Sequence, residues 1–492
     1  MLTRRFPWLP SLTVLAAPFS LFACSSSDGG GTDPATTGPL AVACLDSIDS
    51  VYGDPGELPA DKGAIIRCAL DAPIPVDQVQ SILDGYQYKG RPMTSGANVY
   101  RILYRTERGN GAPGYSSAKV YLPDKPLAEQ LPVIVVSHGS RGQAAKCAPS
   151  LEDPSAEQVN DDQDRNVLTL VGKGFAVIAP DLAGYANYGA QGNPPSAYNS
   201  SADVSRSTLD GARALRKLAP GMFSDKIVVT GHSQGGHIAL SSLAAFESYG
   251  ADGELAAIAT FVPNWLTQRT WAALFLVAKS YPFATDPTPN VVSLWYHYTQ
   301  AELLDGPGKG KELFKPEVRE AIGQFVDDTC WGGPYPALEA LGTTVKDIFD
   351  PTFVQSVMTA GGLGGACPTG EPNKSICETW MARYASDRPH IEGEVKQVPI
   401  LIVYGGKDEV FDPNRFQCGL DRLRQDGANL EYCYDPDGLH GELPAQDGDY
   451  AADWIASKTL GTPIEAVCPV TEMNLVDAEG NPAKCATPPP ND

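Results

Sequence analysis

The sequence predicts an α/β protein: a mostly parallel central sheet, helices on both of its faces, and one long, mainly helical insertion. Three observations carry that prediction. Apolar, β-branched runs recur without alternation at Pro132–Ser137, Phe175–Pro180, Lys226–Thr230, Ile258–Val262 and Val398–Tyr404. Strands covered on both faces need such runs, and parallel strands are covered on both faces. Helical stretches lie between several of the runs. In Ser205–Leu218, for example, Leu209, Ala212, Leu215 and Leu218 fall on one face. Strand alternating with helix is the pattern of a doubly wound sheet. Finally, residues 266–395 separate two core strands and are rich in aromatics, including Trp271, Phe275, Trp295, Tyr296 and Phe325. A segment of that length is not a structureless loop in a compact protein, and its helical stretches (Arg269–Ser280, Pro316–Cys330, Leu338–Ile348) suggest a cap over the sheet.

In chain order, residues 1–23 read as a targeting segment. Arg4 and Arg5 supply positive charge, and an apolar stretch broken by Pro7, Pro10 and Pro18 follows. It ends in Leu21-Phe22-Ala23-Cys24, which resembles a bacterial lipobox and makes Cys24 the expected site of lipidation, with contact to a membrane through that lipid. Ser25 after the cysteine points to the outer membrane. Residues 24–40 are Ser-, Gly- and Thr-rich and read as a flexible tether. A core is expected at 41–265 and again at 396–463, around the insertion, with a Cys-containing tail at 464–492. Val99–Arg105 and Ala118–Leu122 alternate like the strands of an antiparallel start.

The net charge of −22, from 37 basic and 59 acidic residues, excludes the basic footprint of a nucleic-acid binder. Of 11 cysteines, ten remain once Cys24 is set aside, an even number that suits disulfides in an exported chain. On the order of a thousand pairings are open to ten cysteines. Cys418–Cys433 and Cys468–Cys485 are the most economical choices. No CxxC pair is present among them, so a zinc site is disfavoured; nor does the chemistry at residues 226–240 need a metal or organic cofactor. Oligomeric state is left open.

The chemistry is concentrated at residues 226–240, KIVVT-GHSQG-GHIAL. A strand runs into Gly231-His232-Ser233-Gln234-Gly235, and an apolar helix follows. This context makes the Gly-x-Ser-x-Gly pattern specific for a nucleophile elbow. Gly231 and Gly235 leave room where side chains would clash. Ser233 needs a base, and the fold places acid and then histidine later in the chain. Only His440 of the six histidines lies beyond the late strand Val398–Tyr404, so it is the base by elimination. Asp408 follows that strand and a Gly405-Gly406 turn; Glu409 and Asp412 compete with it for the role of acid. The expected oxyanion donors are the backbone N–H groups of Gln234 and of Ser140, with Gly139 as an alternative to Ser140, on the loop after Pro132–Ser137. His138, His232 and His237 read as packing residues.

Together these residues resemble the secretory lipase family, which includes fungal extracellular lipases with a helical cap. The resemblance covers about residues 50–460 and rests on Gly231-His-Ser-Gln-Gly-Gly-His237, Lys146-Cys147-Ala148-Pro149-Ser150, Pro180-Asp181-Leu182-Ala183-Gly184-Tyr185, Asp408 and His440. It implies the α/β-hydrolase fold, hydrolysis of carboxylic esters such as acylglycerols, an acyl pocket shaped by the cap, and a disulfide at Cys147. A lipoprotein-like start and a cysteine-bearing tail depart from the fungal pattern. An amidase or peptidase on the same fold, and a non-catalytic binding protein on a hydrolase scaffold, are the rival readings.

Overall fold

The computed structural model describes residues 40–152, 162–185, 193–264, 271–272, 275, 287–362, 366–477 and 479–486. The targeting segment, Cys24 and nearly all of the tether therefore lie outside the described residues, as does most of the expected helix Arg269–Ser280.

Nine strands form one sheet in the order β1-β2-β3-β5-β4-β6-β7-β8-β9. They are β1 (Ile65–Leu70), β2 (Ala97–Glu107), β3 (Pro113–Pro123), β4 (Leu131–Ser137), β5 (Val177–Pro180), β6 (Phe223–His232), β7 (Glu254–Phe261), β8 (Pro399–Gly405) and β9 (Asn429–Asp435). β1 to β3 pair antiparallel, β3 also pairs antiparallel with β5, and every pairing from β5 through to β9 is parallel. The parallel strands are the continuous apolar runs: every residue of β4 is buried. Ser201–Leu218 and Gln234–Tyr249 pack against each other beside the sheet, and Asp162–Gly172 packs with Gly448–Leu460. β1 has no counterpart in the sequence reading. It sits at the sheet edge, where Leu70 is exposed, and its apolar run is broken by Arg67.

Although β7 and β8 are neighbours in the sheet, they are separated by the long insertion. Its described part is helical and has a hydrophobic core of its own, built on Trp295, Tyr296, Phe314, Phe325, Phe349 and Trp380. Pro316–Cys330 becomes the helix Arg319–Asp328. Leu338–Ile348 is not one helix but two single turns, Pro336–Glu339 and Val345–Ile348. Gly342 and two threonines break it, and Thr344 with Asp347 forms a capping box that starts the second turn afresh.

All ten cysteines of the described residues are paired: Cys44–Cys68, Cys147–Cys330, Cys367–Cys377, Cys418–Cys485 and Cys433–Cys468. The pairings Cys418–Cys433 and Cys468–Cys485 are therefore wrong. The tail runs beside β9, with Tyr434 N–H donating to the Val470 carbonyl at 2.8 Å. This sets Cys468 against Cys433 and leaves Cys485 to reach the neighbouring helix Pro413–Asp426, which carries Cys418. Five disulfides place the protein in an extracellular or exported setting. No helix among the described residues is long and apolar enough to cross a membrane.

One buried ion pair ties the antiparallel edge to the helices. Arg108 and Asp203 are each 1% exposed, and they meet at 2.9 Å and 3.0 Å through two nitrogens. Arg108 also donates to Asn193 and to the carbonyls of Pro194 and Pro195, while Asp203 accepts from the Gly109 and Ala197 N–H groups. The guanidinium and the carboxylate each bond through all their polar positions, so removing one strands the other charge in the interior. Asp203→Ala is predicted to lower unfolding free energy by about 3–5 kcal/mol. Urea melts of wild type and variant test this, and a loss under ~1 kcal/mol contradicts it.

Candidate active site

β6 ends at the turn that carries Ser233. The serine has φ 54° and ψ −115°, a backbone conformation that residues with a side chain rarely adopt. Its neighbours make that turn possible. A Cβ on Gly231 would lie 2.4 Å from the Gly235 carbonyl, and one on Gly235 would lie 2.1 Å from the Ser137 carbonyl oxygen. Gly236 faces Pro263 with the same lack of room, 2.7 Å. Backbone bonds hold the turn from both sides: Ser233 N–H donates to Phe261 O at 2.9 Å, and Ser233 O accepts from the Asn264, Gly236 and His237 N–H groups. The helix Gln234–Tyr249 starts at the next residue, so Ser233 stands at a helix N-terminus. Its hydroxyl is half-buried and forms no hydrogen bond among the described residues.

His440 and Asp408 are brought together on the loops after β9 and β8. Asp408 Oδ2 lies 2.8 Å from Nδ1 of His440. Its other oxygen, Oδ1, accepts the Val410 and Phe411 N–H groups at 2.8 and 2.7 Å. Burial pushes the Asp408 carboxyl up, but the bond and charge of His440 and the two backbone donors outweigh it and hold it below the usual value. The competing acids have other tasks. Glu409 accepts the backbone N–H of His440 at 3.1 Å, and Asp412 caps the helix Pro413–Asp426.

The loops close on each other without space for side chains. A Cβ on Gly405 would lie 2.3 Å from the Gly438 carbonyl oxygen, which itself accepts from Lys407 N–H at 3.0 Å. His440 meets the elbow through His232, the residue before the serine. The His232 Nε2 lies 2.8 Å from the His440 carbonyl, and the two rings are 4.7 Å apart. Phe411 stands edge-on to the His440 ring at 5.0 Å. Burial lowers the proton affinity of His440, and the charge of His232 lowers it further; Asp408 and Glu409 raise it, without cancelling the fall.

On the other side of the elbow lies the loop after β4. Gly235 abuts the carbonyls of Ser137 and His138, so this loop runs against the first turn of the elbow helix. His138 bonds the Gly139 carbonyl and packs edge-on against Tyr185. Ser140 Oγ is 2.7 Å from the Tyr198 hydroxyl. His237 and His297 are packing residues: burial lowers His237 to about 4 and His297 to about 3.

Two features escaped the sequence reading, apart from the disulfide at Cys147 that the resemblance implied without naming its partner. The first joins two motifs: Asp181, fully buried, accepts from Ser117 Oγ, from Ser150 N–H at 2.7 Å and from Ser150 Oγ. The second is a staple between the β4 loop and the insertion. Cys147 bonds Cys330, Trp331 N–H donates to Arg141 O at 2.9 Å, and Gly142, at φ 90°, has the Thr329 carbonyl oxygen 2.5 Å from where its Cβ would be. Spacing alone carried no signal for either, since each joins segments distant in sequence.

A neutral His440 ring beside an ionised Asp408 is the state this geometry favours at neutral pH. The His440 ring is predicted to titrate below pH 6.5, as followed by NMR of labelled histidine; a midpoint above that value contradicts the burial argument. Gly235→Ala is predicted to lower the yield of folded protein, because the clashing atom is backbone and has nowhere to go; normal expression and melting would refute the packing account.

The fold is shared widely among solved structures. It is similar to a hydrolase from Legionella pneumophila described as putative in its own right, at TM-score 0.62 and 15% identity over 82% of this chain and 99% of that one. It is also similar to Candida antarctica lipase A, at TM-score 0.58 and 17% identity over 90% of this chain and 92% of that one. A rice cell wall degrading esterase from Xanthomonas oryzae, LipA, matches at TM-score 0.55 and 17% identity over 82% of this chain and 97% of that one. No curated protein matches the chain by sequence. The alpha/beta hydrolase family matches residues 134–438, more than half of the chain, from within β4 to just past β9; the protein belongs to that family.

Proposed function

We propose that the protein is an exported serine hydrolase of carboxylic esters, with Ser233 as nucleophile, His440 as general base and Asp408 as the acid that orients it. One observation carries the reading: a strained serine at a helix N-terminus, backed by a histidine–carboxylate pair that contacts the residue beside it. In the proposed cycle Ser233 attacks the ester carbonyl while His440 takes its proton. His440 returns that proton to the leaving alcohol, and water cleaves the acyl-enzyme by the same steps. Backbone N–H groups of Gln234 and of Ser140, or Gly139 in its place, stabilise the tetrahedral oxyanion. Asp408 stays ionised and holds the imidazole tautomer.

Ester rather than amide chemistry is supported by the resemblance of the motifs to secretory lipases and by the lipase and esterase among the proteins of like fold. Acyl length is not supported by the insertion's described aromatics. They pack on one another, with Trp271 and Tyr296 stacked at 4.1 Å, and so account for the insertion's own core. The insertion is proposed as a cap over the site, joined to the β4 loop by Cys147–Cys330. Export is supported by the five disulfides, and Cys24 is proposed as a lipid anchor in the bacterial envelope. Mass spectrometry of the mature N-terminus is predicted to find an acylated Cys24; an unmodified start elsewhere refutes the anchor.

The decisive measurement compares wild type with Ser233→Ala on short nitrophenyl esters, on esters of rising chain length and on peptide amides. Wild type is predicted to cleave esters, and the variant to lose about three orders of magnitude or more in kcat. Equal rates sink the assignment of Ser233. Faster cleavage of amides than of every ester makes the protein an amidase.

A further inference from the structure

Tyr198 is 1% exposed, and its hydroxyl meets Ser140 Oγ at 2.7 Å. Ser140 lies on the loop after β4, two residues beyond His138, whose carbonyl oxygen stands 3.0 Å from where a Cβ on Gly235 would be. The bond therefore reaches the loop close to where it passes the elbow helix. Tyr198 is itself held from the insertion. Its backbone N–H donates to Thr299 Oγ1 at 2.9 Å, on the helix Thr288–Leu304. Its ring lies 6.4 Å from that of Trp271 and 6.1 Å from that of Trp295. The next residue, Asn199, turns the chain at φ 56°, and its carbonyl lies 3.1 Å from Nε2 of His237 on the elbow helix. Two residues before Tyr198, the Ser196 carbonyl accepts from Gln143 Nε2 at 3.1 Å, which joins the same segment to the β4 loop a second time.

A phenylalanine would fill the same space without a polar group to satisfy, since a buried hydroxyl is unfavourable unless it is bonded. Burial pushes the Tyr198 hydroxyl up, so it keeps its proton and bonds as a neutral group. What the hydroxyl adds is position: it fixes the Ser140 side chain from the buried side of the loop. An oxyanion donor helps only while its N–H is aimed at the place where charge develops, and a misplacement of about 1 Å costs on the order of 100-fold in rate. Loops move more than the elements they connect, and Ser140 is half-buried, so a donor at this position needs an anchor. Gly139 has no side chain to be held, and its carbonyl is taken up by His138 Nδ1 at 2.6 Å.

We propose that Tyr198 is a positioning residue for the oxyanion hole: its hydroxyl holds Ser140 so that the Ser140 backbone N–H, rather than that of Gly139, faces the oxyanion. The inference rests on the reading of Ser233 as the nucleophile of an ester hydrolase. Tyr198 acts through Ser140 and not on the ester itself. Because Thr299 holds Tyr198 in turn, the insertion takes part in setting the hole, in addition to its link through Cys147–Cys330.

Tyr198→Phe removes the hydroxyl and leaves the ring. On a short nitrophenyl ester, with active sites counted by an irreversible phosphonate, the variant is predicted to lose about 10- to 100-fold in kcat per site while KM stays within about twofold. A trifluoromethyl ketone forms a tetrahedral adduct with a catalytic serine, and its inhibition constant is predicted to rise by the factor by which kcat/KM falls. A merely structural role would lower the number of active sites and leave both quantities unchanged per site. Ser140→Ala keeps the backbone N–H and removes the other end of the bond. It is predicted to lose kcat to a similar extent, and the double variant to be no slower than the slower single. A kcat per site in Tyr198→Phe within about twofold of wild type overturns the proposal. So does a double variant whose loss is the product of the two single losses. Should Tyr198→Phe fail to fold, Ser140→Ala decides: a wild-type kcat overturns the proposal, and the loss with its matching rise for the ketone supports it. Ser233→Ala, measured alongside, separates the two readings. If it keeps the wild-type rate, both fall; if Ser233 is needed and Tyr198→Phe is undiminished, the role of Tyr198 falls alone.

Discussion

The backbone at Ser233 is held in a conformation that costs of order 1–3 kcal/mol, and much of the core is arranged to hold it there. β6 ends where it does because Ser233 N–H makes the last bond to the neighbouring strand β7, at the Phe261 carbonyl, and the backbone then turns into the helix. The helix Gln234–Tyr249 must begin one residue later, because Gly236 and His237 already donate to the serine carbonyl. Gly235 must carry no side chain, because the Ser137 carbonyl occupies that space. A turn this crowded settles three things at once: the register of β4 against β6, the close approach of the helix to the sheet, and a hydroxyl raised above the strand ends.

From that turn the neighbouring loops inherit their places. The β4 loop is pressed onto the elbow by Gly235 and tied from outside by Cys147–Cys330, which joins it to the insertion across 183 residues of sequence. A link across a loop that long removes considerable freedom from the unfolded chain. It also means that the insertion is not free to swing as a unit without the β4 loop. On the opposite side the β8 and β9 loops interlock through Gly405 and Gly438, and His232 joins them to the elbow. Asp181 completes the ring of contacts by bonding β3 and the Ser150 turn to the end of β5.

The parts legible in the sequence were those with local signals. Continuous β-branched runs marked the parallel strands, because burial on both faces forbids alternation. Gly231, Ser233 and Gly235 marked the elbow, because only small residues fit a turn so tight. His440 followed from chain order, and its contact with Asp408 at 2.8 Å agrees with the spacing after β8. Less legible was whatever depends on the third dimension. Edge strand β1 is broken by a charge, so it lacks a run. The cysteine pairs set by the tail beside β9 defeated a choice based on short separation. Lys146-Cys147-Ala148-Pro149-Ser150 and Pro180–Tyr185 stood out as motifs, but the Ser150–Asp181 bond that links them is visible only in the folded chain. The insertion's aromatics form a core of their own, which is what such residues at helical spacing more often build than a pocket wall.

Proton affinities at the site are separated by the same features that build it. Asp408 and His440 are both buried, and burial alone would push the carboxyl up and the imidazole down until both were neutral. The bond from the His440 ring does most to break that symmetry for the carboxyl, and it is joined by two backbone N–H groups. They are donated to Asp408 Oδ1 by Val410 and Phe411, a local turn that exists only because the chain bends after Gly405-Gly406. Donors of this kind favour the charged carboxylate and do nothing for the ring. His232 works in the same direction from the elbow side, since its charge opposes a second charge on His440. The result is an ionised carboxylate beside a neutral, buried imidazole, the protonation state that the proposed mechanism needs. Glu409 is taken up by the His440 backbone N–H and Asp412 by the first N–H groups of the helix Pro413–Asp426, so of the three carboxylates it is Asp408 that bonds the ring.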